Sequence, residues 1–170
     1  MSYTIFAMLL TATLAGSGTS NGNAQTMVDR AERDDLFYVP NDDPQMAVAM
    51  RKARATLPEF LELARTAKPP KEGFAVKVAI PDGSGAEYFW IFPFEEKNGR
   101  VTGKINNTPR STRKVKMGQT IEFKQSEIVD WLYFEDGKMK GNYTACALLK
   151  HEPKQQAEAF KQRFGLECDG

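Results

Sequence analysis

The chain has 170 residues, with 23 Lys and Arg against 22 Asp and Glu, for a formal net charge of +1. That near-balance excludes a global electrostatic drive toward nucleic acid or an anionic membrane. The single histidine, His151, and two widely spaced cysteines lack any metal-binding spacing, so no metal and no cofactor are expected.

The chain opens with an apolar run from Ile5 to Ala15, followed by a small, polar stretch from Gly16 to Gln25 that contains Ala24. This is the apolar region and small-residue exit of a signal peptide, over residues 1–25. The run falls short of the ~20 apolar residues of a membrane-spanning helix. No later stretch is long enough either, so no membrane span is expected. Met1 to Thr4 carries no Lys or Arg, so the usual positive start is missing, and the competing reading is a loosely packed N-terminus of a cytoplasmic protein. Export makes the expected location periplasmic or secreted.

Residues 26–42 are polar and mostly acidic, and read as a flexible leader. A single domain is expected over 43–170. Asp43 is a good N-cap with Pro44 at the first helical position. Met46, Met50 and Ala53 follow at helical spacing; Pro58 predicts one kinked helix or two short ones ending near Ala67. From Gly73 the period becomes two: Phe74, Val76, Val78 and Ile80 alternate with Ala75, Lys77 and Ala79.

A second strand, Glu87 to Glu95, is rich in aromatics, and Asn98-Gly99 turns into a third, Arg100 to Asn106. Further strands are expected over Thr120–Lys124, Val129–Glu135 and Lys138–Lys150. Pro153 opens a last helix with Ala157, Phe160 and Phe164 on one stripe and Gly165 as its stop. The fold class is therefore α+β: a curved antiparallel meander or open barrel of about six strands, flanked by helices at both ends.

Cys146 falls in the sixth expected strand and Cys168 just past the last helix. A helix over 154–164 spans ~16 Å, and antiparallel packing over its own strand brings the two cysteines together. The bridge would close a loop of about 22 residues and contribute ~3 kcal/mol. In a cytosolic chain the same residues would be reduced core cysteines.

The region from Asp43 onward resembles the bacterial YegJ-like family, a domain of unknown function. The resemblance rests on Asp-Asp-Pro-Gln-Met (42–46), Thr-Leu-Pro-Glu-Phe (56–60), Glu-Tyr-Phe-Trp (87–90), Asn-Asn-Thr-Pro (106–109), Gly-Gln-Thr-Ile-Glu-Phe (118–123), Glu-Ile-Val-Asp-Trp (127–131) and Gly-Asn-Tyr-Thr (141–144). It implies a small bacterial domain, often exported, and supplies no catalytic residue.

Candidate chemistry is sparse. Asp130, with Glu87, could serve as an acid–base pair in an envelope enzyme. The structural alternative is that Asp130 accepts hydrogen bonds from backbone N–H groups of a loop near Asn107. Tyr88, Trp90, Phe92 and Phe94 are expected on one strand face, with Phe89, Ile91 and Pro93 on the other, both faces buried. Trp90, Trp131 and Tyr143 could instead line a cleft for a hydrophobic or sugar ligand.

Arg110, Arg113, Lys114 and Lys116, preceded by Asn106 and Asn107, form a basic loop suited to an anionic group. Without an aromatic in that loop, nucleic acid is not expected as partner. The reading is an exported, non-catalytic binding protein whose partner is a protein or envelope component, an inhibitor or immunity role against an envelope enzyme being one version. The alternatives are the carboxylate-pair enzyme and a cytoplasmic protein-binding module.

Overall fold

The structure, a computed structural model, describes residues 26–33, 43–83 and 85–168. The expected signal peptide, and residues 34–42 of the expected leader, lie outside these. The start of that leader is instead a helix, α1 (Met27–Glu32). Thr26 and Asp29 cap it reciprocally, each side chain accepting the other's backbone N–H at 3.1 Å. Met27 is buried, and Glu32 pairs with Arg163 at 2.8 Å.

Asp43 caps α2 (Pro44–Thr66) by accepting the Met46 N–H at 2.8 Å. The helix runs unbroken through Pro58, so the single-helix alternative is the observed one. Its buried stripe is Ala49, Ala53, Leu57, Phe60 and Leu61.

Six antiparallel strands follow: β1 (Glu72–Asp82), β2 (Gly85–Lys97), β3 (Arg100–Ile105), β4 (Thr120–Lys124), β5 (Ile128–Glu135) and β6 (Lys138–Gly141). Their order is β4-β3-β2-β1-β5-β6. The first four form the expected meander, but β5 pairs with β1 on its far side. Only a 3-10 turn, Gln125–Glu127, joins β4 to β5. Four steps of chain reach at most ~14 Å, whereas four strand spacings in a flat sheet measure ~19 Å. The sheet must therefore curl, bringing β4 round toward the start of β5. Within the curl, Phe60 of α2 stacks on Trp131 at 4.8 Å and meets Phe74, Phe94 and Tyr133.

The sixth strand is shorter than expected. It stops at Gly141, and Tyr143–Leu149 forms helix α3. Cys146 is therefore helical. After α4 (Lys154–Phe164), Gly165 takes a left-handed conformation and the chain folds back so that Leu166 bridges Met139 of β6. Cys146 and Cys168 are joined by a disulfide, their Cα atoms 5.6 Å apart. The bridge closes over a second core, in which Met27, Met139, Leu149, Phe160 and Leu166 pack together.

Candidate functional site

Strand β2 sets the geometry of everything nearby. Its register against β1 pairs Glu87 with Ile80, Phe89 with Val78 and Ile91 with Val76. Directly opposed residues share a face, so Glu87, Phe89 and Ile91 point into the α2 core, at 2%, 0% and 0% exposure. Tyr88, Trp90 and Phe92 point the other way. The expectation that both faces are buried fails here: Tyr88 and Phe92 are each 43% exposed. The pairing with β3 is irregular between Ile91 and Phe94, and beyond it Phe94 packs on Phe60, apart from the row it was expected to join.

Glu87 is a charged group on the core face, and its neighbours explain why it is tolerated. Beyond Ile105 the chain continues beside β2: Asn106 donates its N–H to the Trp90 carbonyl, and the Asn107 side chain accepts the Trp90 N–H, both at 2.8 Å. The next residues turn three consecutive backbone N–H groups onto the Glu87 carboxylate, from Arg110 at 2.7 Å, Ser111 at 3.0 Å and Thr112 at 2.9 Å, with the Ser111 hydroxyl at 3.0 Å. Burial pushes the Glu87 carboxyl up, but the donors from Thr112, Arg110 and Ser111 outweigh it and hold the group below the ordinary range.

The anion-seeking backbone of the basic loop is thus filled from within. Its side chains divide. Arg110 donates to the Arg33 carbonyl at 2.6 Å and Lys114 to the Pro81 carbonyl, while Arg113 and Lys116 are exposed.

Asp130 is fully buried and does the same work for a helix. The ladder places Leu132 opposite Gly141, so the chain leaving β6 runs on beside Asp130. There the Asp130 carboxylate accepts the N–H groups of Trp131 at 2.9 Å, Tyr143 at 3.2 Å and Thr144 at 2.8 Å, and the Thr144 hydroxyl at 2.6 Å. Asn142, at the N-cap of α3, makes no side-chain cap, so Asp130 caps that helix from the neighbouring strand. The donors near Asn107 expected for Asp130 belong to Glu87 instead.

Gly141 permits the approach. It has φ +78°, and a Cβ there would lie 2.3 Å from the Trp131 carbonyl oxygen. Thr144 also accepts from Lys77 Nζ at 2.6 Å, and that ammonium sits 4.4 Å over the Trp90 ring. Burial pushes the Asp130 carboxyl up and the Lys77 ammonium down, each opposed by its attraction to the other.

Of the three aromatics expected to share a cleft, Trp131 and Tyr143 meet and Trp90 lies apart on the other face. Trp131 opposes Val76 on the core face and donates its indole N–H to the Ala53 carbonyl at 3.0 Å. Tyr143 meets it edge-on at 5.4 Å. Trp90 opposes Lys77 on the outer face. Glu87 and Asp130 are divided the same way: Glu87 opposes Ile80 of β1, Asp130 opposes Lys77, and three strand positions apart are opposite faces.

The family model for proteins described as uncharacterized and conserved in bacteria, DUF2314, matches residues 43–168. The chain belongs to the DUF2314 family. It is 33% identical over 123 residues to the uncharacterized protein YegJ of Escherichia coli strain K12, a match that covers 72% of this chain and 79% of that protein. No solved structure matches. In this DUF2314 chain, the Asp-Trp element at 130–131 and the Gly-Asn-Tyr-Thr element at 141–144 are two halves of one junction. Glu87 and the segment after Asn-Asn-Thr-Pro are two halves of another. Thr144, the last residue of the second element, completes the first junction with Lys77, and Ser111 and Thr112 complete the other; no local motif in the sequence marks Lys77, Ser111 or Thr112. Among the described residues, no helix is long and apolar enough to cross a membrane.

Proposed function

We propose that this protein is an exported, non-catalytic binding protein that grips another protein or envelope component through the outer face of β2 and the adjoining basic loop. The observation that carries the reading is the exposure of Tyr88 and Phe92, at 43% each, on either side of Trp90. Large aromatics are enriched where proteins anchor one another, because they bury much apolar area at small cost in side-chain entropy. The exposed Arg113 and Lys116 favour an acidic rim on the partner. The disulfide supports export. Inhibition of an envelope enzyme, or immunity to one, is the specific form that suits a small, cross-linked domain.

The enzyme alternative is less favoured, since both carboxylates are engaged by backbone donors and lie on opposite sheet faces. A photo-crosslinking residue placed at Tyr88 or Phe92, in the native host, tests the reading. A discrete adduct at both positions, absent when the probe is at the exposed Val48, is expected. Equal labelling from all three positions, or none, would overturn it. The intact mass of the native protein tests export: loss of a segment ending between about Gly16 and Thr26 is expected, and a full-length cytosolic protein would refute it.

A further inference from the structure

A cleft of about 650 Å³ lies at the opposite end of the β3–β4 ladder from the basic loop. The six residues of β3 separate the two by ~17 Å, so the cleft does not overlap the surface proposed for partner binding at β2 and the basic loop. Helix α2 supplies Arg54, Leu57 and Pro58 to the cleft lining, the β2–β3 turn and the start of β3 supply Gly99 and Arg100, and the end of β4 with the turn after it supplies Lys124, Gln125 and Ser126. Three cations converge on it and no carboxylate is among its lining residues.

Of the acids beside the cleft, Glu122 pairs with Arg100, and Glu127 accepts the Lys124 backbone N–H at 2.7 Å. Arg54 is oriented by a hydrogen bond from Nε to the Ile128 carbonyl at 3.3 Å, a bond that leaves both terminal nitrogens of its fork unused by that contact. The Gln125 backbone is pinned to the Gly99 carbonyl at 2.9 Å, while among the described residues the Gln125 and Ser126 side chains make no internal hydrogen bond. Leu57 and Pro58 add an apolar wall.

We infer that this cleft binds an oxyanion carried on a small apolar body, a phosphate monoester or a carboxylate. The Arg54 fork and Lys124 hold the anion, Gln125 and Ser126 donate to its oxygens, and the Leu57–Pro58 wall takes the apolar part. The shared chemistry has two sources, and two probes separate them. Phenyl phosphate and benzoate, with inorganic phosphate as the bare anion, are titrated into the isotopically labelled full chain with its disulfide intact, and amide resonances are followed.

Saturable shifts centred on Gly99, Gln125 and Ser126 are expected, at least tenfold tighter for one of the aromatic anions than for inorganic phosphate. The tighter of the two names the anion. Lys124→Glu, an exposed change, should weaken that probe at least tenfold, and Arg54→Ala with Lys124→Ala should do so with an unchanged melting curve. If the double variant unfolds, Lys124→Glu alone decides. No saturable shift with any probe, shifts centred on 110–116, or equal affinity in Lys124→Glu would overturn the inference.

Discussion

Glu87 and Asp130 solve the same problem in two places. Each is a carboxylate on a central strand that gathers three backbone N–H groups and a hydroxyl; all come from the loop after Asn107 at Glu87, and at Asp130 all but the Trp131 N–H come from the start of α3. Around Glu87 the donors prevail, and the carboxyl sits below its ordinary range. Around Asp130 burial prevails despite Lys77, and the carboxyl sits above it. Hydrogen bonds alone therefore do not set the state of a buried acid: how completely its surroundings exclude water decides the sign.

Asp130 should be the more sensitive of the two positions. Asp130→Ala strands the Lys77 ammonium and uncaps α3, and should cost about 3–5 kcal/mol in urea unfolding. A cost under about 1 kcal/mol would show that the junction holds without its carboxylate. Glu87→Gln keeps one acceptor oxygen and strands no cation, so a smaller loss of about 1–3 kcal/mol is expected. If Glu87→Gln proved the more damaging, the ranking of the two sites would be reversed.

Acid separates the two further. With its native pKa lowered, Glu87 adds stability above the ordinary carboxylate range, and that contribution is lost as pH falls through the native value. With its native pKa raised, Asp130 behaves oppositely: stability falls as pH rises through the native value. The gap between wild type and Glu87→Gln should therefore shrink toward acid, and that for Asp130→Asn should widen. Urea titrations at about pH 7 and about pH 4 measure both. Gaps that moved together would mean one of the two directions is mistaken.

The mildest outcome is expected where the Glu87 cradle meets solvent. Changing Arg110, Arg113 and Lys114 together to Ser removes only exposed contacts and should move stability by less than about 1 kcal/mol. It should also weaken an acidic partner and flatten the salt dependence of its binding. Calorimetry at two ionic strengths, beside a melting curve, reads both. An unfolded triple variant would mean that the side chains, and not Glu87, shape the loop.

Where cause was local, the sequence was legible. Asp43-Pro44 marks the start of α2 and period two marks β1. The expected Cys146–Cys168 bridge is present, but it joins Cys146 of helix α3 and not of a strand, so the route to it differs from the one helix length suggested. Where cause was distant, the sequence was not legible. Tyr143–Leu149 reads as strand because its cap, Asp130, lies thirteen residues earlier on another element. The pairing of β5 with β1 leaves no trace in either strand's own pattern. The outward turn of Tyr88 and Phe92 depends on which face α2 covers, and alternation cannot specify that. One miss was avoidable: Thr26 three residues before Asp29 is a capping signal, and it starts α1.

The fold-back of the chain after Gly165 bears on how one molecule meets the next. Met139 donates its N–H to the Gly165 carbonyl at 2.7 Å, and its own carbonyl accepts from Glu167 at 3.2 Å. Glu167 also pairs with Lys138 and Lys140, and Cys168 is bonded to α3. These contacts lay a strip of backbone along the outer side of β6, occupying groups that would otherwise template the strand of a neighbour. At the other margin, β4 is only five residues long and carries Glu122 and Lys124 facing solvent, which discourages pairing by charge and brevity. The disulfide thus acts as a latch on the sheet's margin: with it cut, the strip is held by these hydrogen bonds and ion pairs alone, and any fraying of it uncovers the one margin that brevity and charge do not guard.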